Sequence, residues 1–283
     1  MSPSAPRGPL QAVICGDGDL PREAAEAARA AGRAPLLIGI RGAASADIEA
    51  FDHEWFALGE VGRLFRLLQA RGIAEVAFVG ALKRPQFRDL KLDWGAVKRA
   101  PELASIFRGG DDRLLRGVAS IFEREGFRIV GVHQIAPGLI VPPGVLGTTH
   151  PNSDDQTDIA RGAAALTALS PFDVGQAAVV VDGRVVAIEA AEGTDAMIER
   201  IAQLRATGRL RLKGRKGVLI KAPKVGQDRR VDLPTVGPAT IAACVRADLR
   251  GLALAAGGVL TAGRAQLIAA ADAAGLFVWG FAW

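Results

Sequence analysis

The alternation of strand and helix signals along the first half of the chain constrains its fold most. Short apolar runs occupy residues 12–15, 35–40, 75–79 and 127–135. Segments of helical composition and spacing separate them: REAAEAARAAG, GEVGRLFRLLQARG and GDDRLLRGVASIFEREG. Strand–helix–strand units of this length are typical of a parallel sheet with right-handed crossovers. The first half therefore predicts an α/β domain.

The second half has a different pattern. Two β-branched runs flank Asp182–Gly183, a two-residue hairpin signal. Further strands at GVLIKA, GLALA and LFVWGF alternate with helical segments that begin near Thr194 and Pro238. A hairpin combined with crossovers predicts a mixed sheet covered by helices. We thus expect two α/β domains, the second with a mixed sheet.

The stretch APGLIVPPGVLGTT loses periodicity and is rich in Pro and Gly, which is typical of a linker. We divide the chain into four parts: a disordered lead-in at 1–10, an N-terminal domain at 11–136, a linker at 137–149 and a C-terminal catalytic domain at 150–283.

Composition limits the broad class. The chain has 283 residues, 49% of them hydrophobic and 23% charged, which is typical of a globular protein with room for two cores. We find no signal peptide and no apolar run near the roughly 18 residues that span a bilayer, so we expect a cytosolic protein. Cys15 and Cys244 lie in predicted buried elements and are expected to be free thiols.

The net charge is +5, and the excess is concentrated in RLRLKGRK, residues 209–216. A solvated charged face is one interpretation; contact with phosphate, anionic lipid or nucleic acid is the other. No aromatic residue interrupts the run, which disfavours a stacking surface for single-stranded nucleic acid.

Four loops that follow strand ends carry glycine beside polar groups, and in open α/β sheets ligands bind at those ends. The loops are GDGDLP at 16–21, GALKRP at 80–85, EAAEGTDAMIER at 189–200 and KAPKVGQDRRVDLPT at 221–235. Each also has a purely structural interpretation, as a tight turn, a solvated basic turn, a helix cap or a salt-bridged surface loop.

The last of these loops mixes charges of both signs. Lys221, Lys224 and Arg230 suit phosphate oxygens, while Asp228 or Asp232 suits a divalent cation or an attacking water. Phosphoanhydride hydrolysis needs both kinds of group, because cations offset the charge of the phosphates and a carboxylate serves metal or proton transfer.

The third loop offers carboxylates for a hard cation. We interpret Glu189, Glu192 and Asp195 as candidate metal ligands. Thr194 or Asp195 is also suited to cap the following helix, whose amino end favours a phosphate.

The chain lacks the residues typical of three classes of protein: zinc enzymes, α/β-hydrolases and P-loop NTPases. His53, His133 and His150 have no zinc-ligand spacing, and the chain contains neither a G-x-S-x-G elbow nor a G-x-x-x-x-G-K-[ST] loop.

Taken together, GDGDLP, GALKRP, FDVGQA, EAAEGTDAM, RVDLPTVGP and AADAAGLFVWG resemble one family from about residue 12 to residue 281. This is the UDP-2,3-diacylglucosamine pyrophosphatase of lipid A biosynthesis, in the form found in Gram-negative bacteria that lack the metallophosphoesterase version. The resemblance implies a Rossmann-like N-terminal domain, a C-terminal domain of its own type and substrate between them. It also implies Mg²⁺-dependent attack of water on the sugar-side phosphorus, giving UMP and 2,3-diacylglucosamine 1-phosphate (lipid X).

The resemblance also assigns residues. It makes Asp232 of the RVDLPT motif catalytic. It places substrate contacts at Gly18, Gly80, Ala81, Leu82, Lys83, Gly175, Gln176, Thr194, Lys221 and Thr240. To these we add Lys224 as a phosphate contact. Asp17 and Asp19 depart from the small residues that members often carry, which weakens the assignment of Gly18.

A lipid-bearing substrate implies transient contact with a membrane surface. We expect a cytoplasmic protein that is peripheral at the inner membrane, with the basic run facing anionic headgroups. We expect no nucleic-acid partner, and the sequence allows a homodimer without requiring one. The alternatives are a hydrolase of another nucleotide diphosphate, a non-catalytic module that binds nucleotide sugars or anionic lipids, and a nucleic-acid binder.

Overall fold

The protein divides into two compact units. The computed structural model describes residues 11–82, 93 and 111–283. The first unit contains the chain up to residue 138 together with residues 228–232, and the second contains residues 139–227 and 233–283. The short segment 228–232 therefore belongs to the first unit, although the residues before and after it in the sequence belong to the second.

Parallel strands form the sheet of the first unit. Within the described residues their spatial order is β3-β2-β1-β4-β5, and every neighbouring pair is parallel. The strands are β1 (Gln11–Cys15), β2 (Leu36–Ile40), β3 (His53–Phe56), β4 (Glu75–Val79) and β5 (Arg128–Ile129). The predicted parallel, Rossmann-like sheet is confirmed.

Helices cover this sheet and meet in an aromatic core. They are α1 (Leu20–Ala30), α2 (Val61–Ala70), α3 (Asp111–Arg124) and the short α4 (Val132–Ile135), with a 3₁₀ turn at Ala46–Ala50. Phe65 lies edge-on to Phe122 at 4.9 Å between ring centroids and stacks on Phe127 at 5.9 Å. Such aromatic pairs add to the stability gained by burial.

The sequence predicted a strand across residues 127–135. This prediction was wrong beyond Ile129, where β5 ends and a helical turn follows. The chain turns at Gly131, whose N–H donates to Gln134 Oε1 (3.0 Å) while Gln134 N–H donates to the Gly131 carbonyl (2.9 Å). These two hydrogen bonds favour a helical turn over an extended continuation.

The sheet of the second unit is mixed, as predicted. Among the described residues the strand order is β6-β13-β11-β9-β7-β8; β9, β11 and β13 are mutually parallel, and the other contacts are antiparallel. The strands are β6 (Gly144–Val145), β7 (Ala177–Val181), β8 (Arg184–Ile188), β9 (Val218–Lys221), β11 (Gly251–Ala255) and β13 (Phe277–Phe281). Two further strands, β10 (Thr235–Val236) and β12 (Leu260–Thr261), form a separate parallel pair.

The predicted hairpin joins β7 to β8. Both turn residues have positive φ, 47° at Asp182 and 74° at Gly183, as a two-residue hairpin with the right twist requires. Gly183 N–H donates to Asp158 Oδ1 (2.6 Å), which fixes the turn to the helix Ser153–Leu169.

Residues 139–149, most of the predicted linker, lie in the second unit. Gly144–Val145 pairs with β13, Val141 N–H donates to the Val259 carbonyl (2.9 Å), and Thr148 N–H donates to Asp272 Oδ1 (2.8 Å). This part of the chain is hydrogen-bonded to the mixed sheet and to the helix Arg264–Ala274.

The described residues of the second unit form four helices, two of which begin at one edge of its sheet. They are α5 (Ser153–Leu169), α6 (Thr194–Ala206), α7 (Pro238–Arg246) and α8 (Arg264–Ala274), with a 3₁₀ turn at Ser170–Phe172. Strand β8 runs in the same direction as β9 because both are antiparallel to β7. Helix α6 follows β8 and therefore begins where β9 ends. Helix α7 follows β10, and the chain after it bonds the start of β9 (Arg250 N–H to the Gly217 carbonyl, 2.9 Å), so α7 begins towards the end of β9. We call this the Lys221 edge.

Candidate active site

A hydrogen-bonded network occupies the Lys221 edge. Lys221, the last residue of β9, is buried (7% exposed), and its Nζ donates to Thr194 Oγ1 at 2.5 Å. Thr194 in turn donates to Glu189 Oε1 at 2.8 Å. The second oxygen, Glu189 Oε2, accepts from Gln176 N–H at 2.9 Å. Four residues singled out in three separate sequence motifs are thus in contact.

Glycine at position 175 permits this arrangement. Gly175 N–H donates to the Glu189 carbonyl (3.0 Å), and a Cβ at Gly175 would lie 2.6 Å from that carbonyl oxygen and 2.5 Å from Glu189 Cγ. A larger residue would push the FDVGQA loop away from β8. Gly175 therefore lets the backbone of this loop lie directly against Glu189.

Lys224 belongs to the same edge but has its own partner. Its Nζ donates to Asp173 Oδ1 (2.5 Å), and its side chain is 16% exposed. Its backbone N–H donates to Gln227 Oε1 (2.8 Å). The loop after β9 is thereby tied to the loop that precedes β7.

Helices α6 and α7 both begin at the Lys221 edge, with glycines at their N-caps. Gly193 precedes α6 with φ of 81° and makes no side-chain cap within the described residues. The prediction that Thr194 or Asp195 caps this helix was wrong, because the Thr194 hydroxyl is committed to Glu189. Thr240 is buried in the first turn of α7, where its N–H donates to the Gly237 carbonyl (3.0 Å).

The three candidate metal ligands do not share one centre. Both oxygens of Glu189 accept hydrogen bonds from protein groups, and Glu192 lies 3.3 Å from Arg200 in an ion pair. Asp195 is exposed in the first turn of α6. In the described part of the chain no three acidic, His or Cys side chains are grouped as a metal site would require.

In the first unit, the loops after β1 and β4 are bonded to each other. Asp17 N–H donates to the Ala81 carbonyl (2.7 Å), and Ala81 N–H returns a bond to the Asp17 carbonyl (3.1 Å). A Cβ at Gly16 would lie 2.4 Å from the Ala81 carbonyl oxygen, and one at Gly80 would lie 2.7 Å from the Asp17 carbonyl oxygen. Glycine is required at both positions because two backbones touch.

This junction brings together the predicted contacts of the first unit. Gly18, Gly80, Ala81 and Leu82 are all exposed at the carboxyl ends of β1 and β4. Gly18 has a φ of 92°, and its N–H donates to Asp17 Oδ1 (2.8 Å). Lys83 lies outside the described residues.

The motif that contains Asp232 belongs to the first unit. Val231 is 7% exposed and packs in the core cluster of Phe65 and Phe122. Asp232 is half-buried, and its N–H donates to the Asp228 carbonyl (3.3 Å). The loop at 221–235 is thus divided: Lys221 and Lys224 belong to the second unit, and Asp232 to the first. The sequence signal for this division is Val231, an apolar residue between charged ones.

Arg230 holds this segment to helix α3. Its guanidinium donates to Asp228 Oδ2 (2.7 Å) and to Glu123 Oε1 (2.7 Å). The hydrogen bond from Arg230 lowers the pKa of Asp228 below its ordinary value. Arg230, which we grouped with the phosphate-binding cations, is therefore engaged by two carboxylates.

The basic run lies away from the Lys221 edge, since it precedes β9 and Lys221 ends that strand. Arg215 and Lys216 make ion pairs with Asp248 and Asp182. Arg209, Arg211 and Lys213 are exposed and make no ion pair within the described residues.

Both cysteines are buried free thiols, as predicted. Burial raises the pKa of Cys15 to about 12 and raises the pKa of Cys244. Thiols held in the protonated form are poor nucleophiles.

No helix among the described residues has the length and apolar character needed to cross a bilayer.

Comparison with known proteins identifies relatives over nearly the whole chain. The model of the LpxI N-terminal domain matches residues 11–139, and that of the LpxI C-terminal domain matches residues 142–279. A curated relative from Caulobacter vibrioides, UDP-2,3-diacylglucosamine pyrophosphatase LpxI, is 42% identical over 268 residues, which is 95% of this chain and 96% of that protein.

Solved structures give weaker likenesses. The ADP complex of N5-carboxyaminoimidazole ribonucleotide synthetase is 14% identical, with a TM-score of 0.26, over 73% of this chain and 47% of that one. The biotin carboxylase domain of Hydrogenobacter thermophilus 2-oxoglutarate carboxylase is 9% identical, with a TM-score of 0.24, over 70% of this chain and 42% of that one. At TM-scores this low the likeness supports no conclusion.

Proposed function

The chain belongs to the LpxI family and is a UDP-2,3-diacylglucosamine pyrophosphatase; we propose that the network of Lys221, Thr194 and Glu189 is its phosphate-binding centre. Asp232 is the proposed catalytic carboxylate, because it stands in the RVDLPT motif on which the family resemblance rests. The identity of 42% over 95% of the chain carries the assignment of the activity.

The reaction transfers one oxygen from water to phosphorus. Water attacks the sugar-side phosphorus, the bond from that phosphorus to the bridging oxygen breaks, and UMP leaves with the bridging oxygen. The other product, 2,3-diacylglucosamine 1-phosphate, keeps the oxygen that came from water. Negative charge increases on the leaving phosphate, so a cation near it stabilises the transition state more than the bound substrate.

Lys221 is suited to this task by its surroundings. Its ammonium group is fixed by Thr194 rather than swinging freely, and its buried position strengthens its attraction for a phosphate. Glu189 accepts from the Thr194 hydroxyl and so orients the oxygen of Thr194 towards Lys221. The N-termini of α6 and α7 add partial positive charge at the same edge. Lys224 supplies a second cation, which a phosphate would have to draw from Asp173.

Mg²⁺ dependence stays a prediction. Mg²⁺ keeps several waters and is usually held by one or two carboxylates together with substrate phosphates, so a preformed cluster of three carboxylates is not needed. When bound, the ion supplies charge neutralisation to the pyrophosphate. Asp232, in the motif on which the family resemblance rests, is the carboxylate that we propose for such a site.

Product analysis in ¹⁸O-labelled water tests the activity. We expect UMP without label and a diacylglucosamine 1-phosphate that carries one ¹⁸O. Soluble UDP-sugars turned over as fast as the diacylated substrate would favour a hydrolase of another nucleotide diphosphate. Binding of the substrate without release of UMP would favour a non-catalytic module.

The lipid-bearing substrate also implies work at a membrane surface. We propose a cytoplasmic protein that is peripheral at the inner membrane, attracted by the exposed cations Arg209, Arg211 and Lys213. The homodimer stays a prediction.

Neutralising these three cations tests the attraction. Each is expected to contribute about 1 kcal/mol near an anionic surface, so changing all three to Gln should weaken binding on the order of a hundredfold. Flotation with vesicles containing anionic lipid measures this. As a control, Arg41, Arg66 and Arg71 of the first unit, also exposed, are changed to Gln. Equal binding by both triple variants would contradict the proposal.

A further inference from the structure

Two apolar side chains are exposed beside the Lys221 edge. Phe172 is 73% exposed and Val225 is 63% exposed. The other exposed large hydrophobic residues of the described chain lie between 37% and 39%. Single exposed apolar residues need no explanation, but two strongly exposed ones on adjoining loops of a functional site do.

The two loops that carry them are fixed to each other. Val225 N–H donates to Ser170 Oγ (3.1 Å), and Ser170 begins the 3₁₀ turn that ends at Phe172. Lys224, the residue before Val225, bonds Asp173, the residue after Phe172. Asp173 adopts a positive φ of 53°, which ends the 3₁₀ turn. Hydrogen bonds on both sides therefore hold the exposed pair in place.

The pair also adjoins the phosphate-binding network. Val225 follows Lys221 by four residues, and Phe172 precedes Gln176 by four. Ala222 N–H donates to the Gln176 carbonyl (3.0 Å), so the two chain segments run side by side from the network to the pair.

We propose that Phe172 and Val225 form an acyl-chain contact for the substrate at the Lys221 edge. This inference rests on the proposed function, which supplies a substrate with two acyl chains joined to the phosphates through one sugar. A substrate of this kind must leave the bilayer, at least in part, before its pyrophosphate reaches the buried Lys221. Apolar side chains beside the phosphate site cover the chains and lower the cost of exposing them to water.

Chain-length dependence provides the test. We compare UDP-2,3-diacylglucosamine carrying long acyl chains with the same nucleotide sugar carrying acetyl groups, and measure UMP release. Changing Phe172 to Ser and Val225 to Thr should raise KM for the long-chain substrate roughly tenfold to a hundredfold, the loss expected for uncovering one or two large apolar side chains. KM for the acetylated substrate and kcat for both should stay within about twofold.

Val245→Ser supplies the control. Val245 is 38% exposed on helix α7 of the same unit. Its replacement should leave KM unchanged for both the long-chain and the acetylated substrate. Thermal unfolding of each variant checks that the fold is kept.

Each outcome bears on a different claim. An unchanged KM for the long-chain substrate in the Phe172/Val225 variant overturns the acyl-chain contact and leaves the function intact. Equal increases in KM for both substrates also overturn it, since the pair would then act on the phosphates or the nucleotide. Loss of vesicle binding without any dependence on chain length assigns the pair to the bilayer and refutes the proposal. Wild-type protein that releases no UMP from either substrate refutes the proposed function and the inference with it.

Discussion

Lys221 combines two roles that a surface lysine cannot. It closes strand β9 and pairs in register with Ala177 of β7, so its backbone is fixed by the sheet. Its ammonium group reaches Thr194 on the next helix, where it is held by a hydroxyl that is itself held by Glu189. A cation fixed in this way needs little rearrangement when phosphate charge develops beside it.

Replacing Lys221 by Met should therefore lower kcat/KM for the diacylated substrate by about 10²- to 10³-fold, the usual loss when one fixed stabilising donor is removed. Lys221→Arg should restore little activity, because a planar guanidinium cannot reproduce a point charge aimed at one hydroxyl. Steady-state UMP release measures both variants. Arg66→Met, at an exposed cation on α2 of the first unit, serves as the control. Activity of Lys221→Met within threefold of wild type would contradict the assigned role.

At the scale of elements, the loops after β1 and β4 depend on two backbones in direct contact. Gly16 has no positive φ, so any effect of substitution there is steric rather than conformational. A methyl group at this position would meet the Ala81 carbonyl oxygen at 2.4 Å. The two loops would have to separate, and with them the exposed backbone of residues 80–82.

Gly16→Ala should lower the free energy of unfolding by about 1–3 kcal/mol, as overpacking usually does. Gly138→Ala is the matched control in the same unit, because a Cβ there meets nothing within 4 Å; its effect should stay below about 0.5 kcal/mol. Urea unfolding of both variants gives the comparison. A Gly16→Ala protein as stable as wild type would contradict this account, because it would show that the loops after β1 and β4 can separate without loss of stability.

The segment 228–232 is held by charge as well as by the burial of Val231. Arg230 lowers the pKa of Asp228, and a carboxyl with a lowered folded pKa stabilises the protein above its unfolded value near 3.9. That contribution is lost as the pH falls through the folded pKa. The Asp228 side chain is 18% exposed and that of Arg230 is 43% exposed, so solvent weakens the pair.

Arg230→Gln should lower the free energy of unfolding at pH 7 by about 1 kcal/mol. The difference from wild type should shrink as the pH falls below the unfolded value near 3.9 and through the lowered folded pKa of Asp228, because Asp228 is then becoming protonated in both proteins. Denaturant titrations across this range provide the measurement. Arg71→Gln removes an ion pair with Asp52 whose side chains are 45% and 58% exposed, and it should cost less than about 0.5 kcal/mol. A gap between Arg230→Gln and wild type that does not shrink as the pH falls would rule out Asp228 as its source.

At the scale of the whole molecule, local patterns predicted most elements. The Asp182–Gly183 hairpin, the helix from Thr194 and the mixed sheet all follow from turn chemistry and periodicity, which act over a few residues. The family resemblance and the activity are confirmed by the comparisons.

Long-range features could not be predicted in the same way. The assignment of 228–232 to the first unit depends on Val231 entering a core that is distant in sequence. The hydrogen bonds of Glu189 with Thr194 and Gln176 depend on contacts between three loops. Such pairings are fixed by tertiary packing between segments that are distant in sequence. A local signal such as Val231 among charged residues marks a buried position but does not name the core that it enters.

The role of Asp232 is the central claim of the mechanism, and one measurement tests it most directly. UMP release from UDP-2,3-diacylglucosamine is followed with and without Mg²⁺ for wild-type protein and for Asp232→Asn, together with binding of the intact substrate. We expect turnover that requires Mg²⁺ in the wild type and a loss of at least about 10³-fold in the variant, with substrate binding retained. An Asp232→Asn protein that still releases UMP at a rate close to wild type would contradict the assignment of Asp232 as the catalytic carboxylate.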